Sequence, residues 1–243
     1  MTELLYQTDA YVKEFTAHVT AAEGSAVALD RTAFYATGGG QPHDTGTLSE
    51  ITADRQPGGR SWQVSEVRKQ GDLVWHTLQG EGLPDVGAQL RGRVDWARRH
   101  KLMRTHTALH LLCGVVFRDY GALVTGGNMD IDEGRLDFEL RDFTPELAQQ
   151  IVDAVNTEIA AARPVEVKIL PRDQAFQIPD LIRTKINLLP EGITQVRTVN
   201  IVGLDLQADG GTHVANTREV GHVTLLKTRS KGANNKRIVI GVE

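Results

Sequence analysis

The sequence contains a single cysteine, Cys113, among its 243 residues. One cysteine excludes an internal disulfide and a zinc site made only of thiolates, and it is typical of a reducing compartment. No stretch approaches the roughly 20 apolar residues that a membrane-spanning helix needs. The opening segment, MTELLYQTDAYVKEF, carries acidic residues where a signal peptide has a basic start and an apolar run. We therefore expect a cytoplasmic protein with no membrane partner.

The sequence also lacks a net positive charge, internal repeats and low-complexity tracts. Its formal net charge is −4, which argues against indiscriminate binding to nucleic acid. The basic residues are unevenly distributed, because RGRVDWARRHKLMR at 91–104 has six Arg and Lys against one Asp, and KTRSKGANNKR at 227–237 has five against none. Such patches suit transient contact with a polyanion, although a solvated helix face and a solvated tail explain them equally well.

The first part of the chain has the punctuation of a small β-domain. From Tyr11 to about Val94, short apolar runs alternate with Gly, Asp and Pro, as in HVTAAEGSAVALDRTAFYATGGGQPHDTGTLSEI. This pattern predicts short strands that close into a small β-barrel or sandwich, with 87–94 as the last strand. The pattern changes near residue 94, so we place a domain boundary there and expect two domains, 1–94 and 95–243.

The second part is predicted to combine long helices with an antiparallel sheet, which makes the fold class α+β. Asp95 is a candidate N-cap for a long, half-buried helix that ends before Gly121. A second helix is predicted from Thr144 as N-cap, with Pro145 at the first helical position, to Arg163. The predicted strands are GRLDFEL, VEVKIL, TQVRTVNIVGLDLQ and HVTLLKTRSK…KRIVIGVE.

Two pairs of potential metal ligands share a four-residue spacing. His106 and His110 in HTALH project from one face of the predicted helix, close enough to share an ion, although two core histidines explain this pair equally well. Thr107 stands where a zinc protease of the HExxH kind carries its general-base Glu, which excludes that class. Asp209 and His213 in ADGGTH are the natural partners, because Zn²⁺, Fe²⁺ and Mn²⁺ all accept three His and one carboxylate.

The sequence resembles a known family along nearly its whole length. HTALH followed by DGGTHVANT is similar to the HxxxH…CxxxH signature of the alanyl-tRNA editing domains. FYATGGGQPHDTG at 34–46 resembles the glycine-rich motif of the small barrel that precedes that domain. VDWARRHKLMRTHTALH, RLDFEL, RTKINLLP and SKGANNKRI resemble the free-standing AlaX proteins of medium length.

One position departs from that family, because Asp209 stands where the family has a zinc-binding Cys. A carboxylate is a harder ligand and a weaker electron donor than a thiolate. The ion is therefore expected to be more Lewis acidic and less tightly held.

The resemblance implies a trans-editing hydrolase that removes serine, and also glycine, from mischarged tRNA(Ala). Such an enzyme is needed because an alanine pocket rejects Ser or Gly poorly by binding alone. The catalytic residues implied are those that would hold one Zn²⁺ ion: His106, His110, Asp209 and His213. Two alternatives remain open, a non-catalytic tRNA-binding module with an altered metal site and a metal-dependent hydrolase of small esters.

Further candidates surround these four residues. The candidates for binding the seryl side chain or the ribose are Thr125, Asn128, Thr212, Gly39, Gly40 and Gln41. A turn or cap role explains each of them as well. The candidates for contacting phosphates at the tRNA(Ala) acceptor end are Arg98, Arg99, Lys101 and Arg104, which precede His106 in the predicted helix. Asp205 is a fallback ligand, and Cys113 is expected to be a small core residue.

Overall fold

The computed structural model describes residues 1–51, 57–141, 143–186, 189, 192–230, 232 and 234–243. Lys231 of the basic tail lies outside these ranges. The chain forms two compact units, one made of 1–38 with 42–100 and the other of 39–41 with 101–243. The segment 39–41, which lies inside the first predicted domain, thus groups with the second unit. Within the described ranges, none of the helices is long and apolar enough to cross a membrane.

Six strands of the first unit close into an antiparallel barrel in the order β2-β3-β7-β6-β5-β8, which confirms the expected small barrel. The strands of this unit are β1 (Glu3–Leu4), β2 (Glu14–Glu23), β3 (Ala26–Leu29), β4 (Arg31–Thr32), β5 (Gly46–Ile51), β6 (Pro57–Gln70), β7 (Leu73–Gln79) and β8 (Gln89–Val94). Along β8 exposed and buried residues alternate, so one face of the strand fills the barrel. Gly92 leaves room for Phe15, because a Cβ at Gly92 would lie 2.4 Å from that ring.

A buried ion pair stabilises the first unit. Arg99 and Asp44 are both fully buried, and Arg99 Nε lies 3.0 Å from each carboxylate oxygen of Asp44. The guanidinium also donates to the carbonyls of Ala10 at 2.8 Å and Ala33 at 2.5 Å. Asp44 accepts a further hydrogen bond from the backbone N–H of Tyr35 at 2.6 Å. Arg99 is therefore enclosed by protein and offers no surface to a phosphate.

The second unit contains two antiparallel sheets, with strand orders β14-β15-β10-β9 and β11-β12-β13. Its strands are β9 (Val124–Asp130), β10 (Glu133–Glu139), β11 (Val165–Pro171), β12 (Gln195–Ile201), β13 (Asp205–Ala208), β14 (Val223–Ser230) and β15 (Asn235–Val242). The α-helices within the described residues are α1 (Trp96–Tyr120), α2 (Pro145–Ala160) and α3 (Arg172–Ala175). The glycine-rich segment VTGGNMD, which contains the candidates Thr125 and Asn128, is a strand and not a turn, because β10 pairs with it in antiparallel register.

The ends of the two long helices follow from local chemistry. Asp95 and Thr144 are confirmed as N-caps, since each side chain accepts a hydrogen bond from the backbone N–H three residues further on, at 3.2 Å. Helix α2 ends at Ala160 instead of the predicted Arg163. The chain turns there because Ala162 adopts a left-handed backbone conformation with φ 52°.

Helix α1 is more deeply buried than the sequence predicts. Every residue of 105–116 is buried, so the expectation of a half-buried helix is wrong for its centre. Strand β10 covers one side, where Gly134 leaves room for Leu109: a Cβ on Gly134 would lie 2.9 Å from that side chain. The start of β13 covers another side, and a Cβ at Gly114 would lie 2.8 Å from Asp205. Strands β10 and β13 thus both approach closely the part of α1 that carries the histidines.

Candidate metal centre

Three imidazoles and one carboxylate converge beside the middle of α1. His106 and His110 lie one turn apart on this helix, and Asp209 and His213 lie in the segment that follows β13. One potential ligand atom from each residue lies within 4.8 Å of all the others. A single ion can therefore contact all four side chains that the two spacings singled out.

The carboxylate of Asp209 is the centre of the group. Its Oδ1 lies 3.6 Å from Nε2 of His106 and 3.9 Å from Nε2 of His110. Its Oδ2 lies 3.0 Å from Nε2 of His213 and accepts a hydrogen bond from the backbone N–H of Gly211 at 2.6 Å. All three imidazoles thus present Nε2 to the carboxylate, so one cation can contact the three nitrogens and a carboxylate oxygen.

The electrostatic environment favours neutral imidazoles at His106 and His213 and an ionised carboxylate at Asp209. Burial lowers the pKa of His106 to about 4. Burial and the neighbouring imidazoles also lower the pKa of His213. Burial acts against the Asp209 carboxylate, but the nearby imidazoles and its hydrogen bond with His213 hold the pKa of Asp209 well below its usual range. Neutral imidazoles beside an ionised carboxylate form a donor set that fits a divalent metal.

Asp205, the fallback ligand, stands behind His110 and outside the group of four. Its Oδ2 lies 3.5 Å from Nδ1 of His110, on the side of the ring away from Asp209. The same carboxylate accepts hydrogen bonds from Gln207 Nε2 at 2.6 Å and Arg183 Nε at 3.3 Å. Burial lowers the pKa of His110, but the Asp205 and Asp209 carboxylates outweigh burial and raise it.

A cavity of about 540 Å³ opens next to the four residues. His106, His110 and Asp209 form part of its wall. Apolar side chains of α1, β9 and β10 line much of the rest, and Arg183 and Lys185 add positive charge. A cavity of this size with polar groups gathered at one place is typical of a small-molecule site.

The residues expected to bind substrate occupy two places. Gly39, Gly40, Thr125 and Asn128 line the cavity, and both glycines adopt left-handed conformations with φ 55° and 84°. Such conformations favour glycine and leave the backbone accessible. Thr125 Oγ1 donates a hydrogen bond to an asparagine side chain of β15 at 3.0 Å.

Gln41 and Thr212 lie behind His106, and both are buried. Gln41 Oε1 lies 2.9 Å from His106 Nδ1 and accepts a hydrogen bond from the Thr212 backbone N–H at 3.0 Å. Gln41 Nε2 donates to the Thr212 hydroxyl at 2.9 Å. The polar atoms of Gln41 and Thr212 therefore hold the His106 imidazole in place and do not face the cavity as a substrate contact would.

The four basic residues expected to contact phosphates differ in accessibility. Arg98 is partly exposed, and its Nε donates to a backbone carbonyl at 3.1 Å. Lys101 has a half-exposed side chain and forms an ion pair with Asp132 at 2.5 Å. Arg104 is partly buried and donates to two backbone carbonyls. Arg99 is enclosed with Asp44 and is not accessible to a phosphate.

Three residues around the site carry no signal in the sequence. Arg183 and Gln207 line the cavity and hold Asp205. Arg197 on β12 donates from Nη1 to the Asp209 carbonyl at 3.0 Å and lies 3.7 Å from Oδ2 of the same residue. No motif marks these side chains, because folding alone brings them close to the histidines.

Gly211 is required by the tight packing against His106. A Cβ at Gly211 would lie 2.2 Å from His106 Cε1 and 2.8 Å from Gln41 Oε1. We expect Gly211→Ala to displace the imidazole and to weaken the binding of a divalent metal ion by about 10- to 100-fold, measured with Zn²⁺ as the probe in competition with a chromophoric chelator. The matched control is Gly210→Ala, because a Cβ at Gly210 has no neighbour within 4 Å in the described structure. Equal affinities of the two variants would contradict this explanation.

Comparison with known proteins gives consistent matches. Residues 5–98 match the family described as tRNA synthetases class II (A), and residues 196–239 match the threonyl and alanyl tRNA synthetase second additional domain. The chain is 37% identical to the alanyl-tRNA editing protein AlaX-M of Saccharolobus solfataricus over the full length of both proteins. It is 36% identical to AlaX-M of Methanosarcina barkeri over 98% of each chain. It is also 36% identical to the alanine–tRNA ligase of Pyrococcus abyssi, covering 100% of this chain and 25% of the ligase.

Proposed function

This chain belongs to the family of AlaX-M alanyl-tRNA editing proteins, and from that premise we propose that it is a deacylase of mischarged tRNA(Ala). Its main substrate is Ser-tRNA(Ala), with Gly-tRNA(Ala) as a second substrate. The reaction is hydrolysis of the ester between the amino acid and the terminal ribose. The convergence of three imidazoles and one carboxylate on the wall of a cavity carries the proposal.

One Zn²⁺ ion held by His106, His110, Asp209 and His213 is the proposed cofactor. The close grouping of their ligand atoms and the lowered pKa values of His106 and Asp209 support this assignment. When bound, a zinc ion supplies Lewis acidity toward the ester. The Gly211 N–H donates to the Asp209 carboxylate, and Arg197 holds the Asp209 backbone carbonyl and lies 3.7 Å from the carboxylate, so both fix the position of this ligand.

Discrimination against alanine requires a polar partner for the seryl hydroxyl. A site built to hydrogen-bond a hydroxyl rejects an analogue that lacks it, because buried polar groups are then left unpaired. We assign this role to Thr125 and Asn128, which line the cavity. Gly39 and Gly40 are proposed to approach the ribose through their backbone. Gln41 and Thr212 contribute by supporting His106.

Arg98, Lys101 and Arg104 are the proposed contacts to phosphates of the tRNA acceptor end. Lys101 is half exposed and Arg98 partly exposed, so both can exchange their present partners for a phosphate. Such contacts position the RNA without reading its sequence, and they weaken as salt concentration rises.

The proposal is tested with Ser-tRNA(Ala), Gly-tRNA(Ala) and Ala-tRNA(Ala) incubated with protein of known zinc content. We expect fast release of serine, slower release of glycine and retention of alanine, with rates that fall at high salt. A seryl methyl ester serves as the small-ester control, and it is expected to react far more slowly than Ser-tRNA(Ala).

Two results would overturn the proposal. If the methyl ester is hydrolysed as fast as Ser-tRNA(Ala), without dependence on salt, the protein is a small-ester hydrolase. If all three tRNAs remain charged at every zinc content while still binding the protein, it is a binding module.

A further inference from the structure

Each imidazole of the metal centre has an oxygen atom on the side that faces away from Asp209. His106 Nδ1 lies 2.9 Å from Gln41 Oε1, and His213 Nδ1 lies 3.2 Å from Thr107 Oγ1. His110 Nδ1 has a more distant oxygen, Oδ2 of Asp205, at 3.5 Å. A neutral imidazole carries its proton on one nitrogen only, so these oxygens bear on which nitrogen is left to bind an ion.

The hydroxyl of Thr107 has only one direction for its proton. Thr107 is fully buried, and its Oγ1 lies 2.9 Å from the carbonyl oxygen of Met103. Two oxygens at this distance need a proton between them, and the carbonyl has none, so Thr107 donates to Met103. Oγ1 can then only accept: it accepts from the Val214 N–H at 3.2 Å, and it faces His213 Nδ1 at 3.2 Å as an acceptor for a proton on that nitrogen.

The amide of Gln41 is fixed in the same way. Its Oε1 faces the backbone N–H of Thr212 at 3.0 Å, which identifies this atom as the acceptor, while Nε2 donates to the Thr212 hydroxyl. An oxygen that can only accept also faces His106 Nδ1. His106 must therefore carry its proton on Nδ1.

We infer that Thr107 and Gln41 are positioning residues that fix His213 and His106 as Nδ1–H imidazoles, so that both Nε2 lone pairs are aimed at one ion. The inference rests on the metal site of the proposed function. His213 Nε2 lies 3.0 Å from an oxygen of Asp209, which also accepts a proton from the ring. When an ion occupies Nε2, the single ring proton is left on Nδ1, where Thr107 accepts it. Thr107, at the position where a helical HExxH motif has its base, thus acts as an acceptor that orients a ligand.

The test combines two measurements on Thr107→Val, which keeps the shape of the side chain, and Thr107→Ser, which keeps the hydroxyl. We expect Thr107→Val to weaken Zn²⁺ binding by about 10- to 100-fold in chelator competition and Thr107→Ser to bind close to wild type. Long-range ¹H–¹⁵N correlation spectra of the zinc-loaded wild type are expected to show protonated Nδ1 and zinc-bound Nε2 for His106 and His213.

Zinc binding of wild-type strength in a folded Thr107→Val protein would overturn the inference, as would Nδ1 coordination by either histidine. If Thr107→Val does not fold, the wild-type spectrum decides alone. Failure of the proposed function is distinguishable, because the spectra require no turnover: correct tautomers without serine release would leave the inference intact. If wild type takes up no zinc, the same spectra are recorded on the metal-free protein. A proton on His106 Nδ1 then supports the inference, and a proton on Nε2 alone overturns it.

Discussion

Replacing His106 by Ala is expected to slow serine release from Ser-tRNA(Ala) by about 10³-fold, since metal catalysis contributes several kcal/mol to such reactions. The imidazole faces Asp209 through Nε2 and lines the cavity, so its loss removes one of four donors at the reacting end of the site. The measurement is single-turnover deacylation with zinc content determined in the same samples. Wild-type protein stripped of metal should be equally slow and should recover when zinc is restored.

The control for this substitution is His18→Ala in the first unit. His18 has a side chain that is 54% exposed and pairs with Asp30, so its loss should leave the rate of serine release near wild type. Full activity of His106→Ala, or of the metal-free protein, would contradict the assignment of the centre. Equal slowing by both substitutions would show that the effect comes from general damage.

Asp44→Asn is expected to lower the free energy of unfolding by about 3–5 kcal/mol. The substitution leaves the Arg99 guanidinium fully buried with carbonyl partners but without a counter-charge. A buried charge that loses its partner retains the cost of its desolvation. Denaturant titration followed by tryptophan fluorescence measures the change, because Trp62 lies in the core of the same unit.

Glu14→Gln is the matched control for Asp44→Asn. Glu14 pairs with Arg91 in the same unit, but both side chains are 43% exposed, and exposed pairs contribute about 1 kcal/mol or less. A loss of stability as small for Asp44→Asn as for Glu14→Gln would contradict the structural role given to Arg99.

The sequence alone predicted the grouping of the four candidate ligands, because the geometry behind each spacing is local. Residues four apart on a helix share a face, which places His106 beside His110. In the loop, the two glycines between Asp209 and His213 let the chain fold so that both side chains meet. Nothing local relates the two pairs to each other: their matching spacing and ligand chemistry suggested a shared ion, and the resemblance to the family motif supported it.

Other features depend on contacts that the sequence does not encode locally. Six basic residues in 91–104 indicate a charged surface, yet Arg99 is buried because Asp44 lies opposite it in the fold. The glycines of β9 suggest turns, yet pairing with β10 makes them a strand. The histidine-bearing helix has an apolar stripe in sequence, but covering by neighbouring segments makes its centre buried on all sides.

The donor chemistry of the centre has a consequence for oxidative stress. Peroxide attacks thiolates first and converts them to sulfenic and then to sulfinic acid, which ends their use as metal ligands. Here the four grouped donors are three imidazoles and a carboxylate, and the chain's one thiol, on Cys113, is outside the group. Burial raises the pKa of that thiol and keeps it protonated, so it reacts slowly. Oxidants that would disable a centre with a cysteine ligand are therefore expected to leave these four donors unchanged, and editing by this protein should continue in their presence.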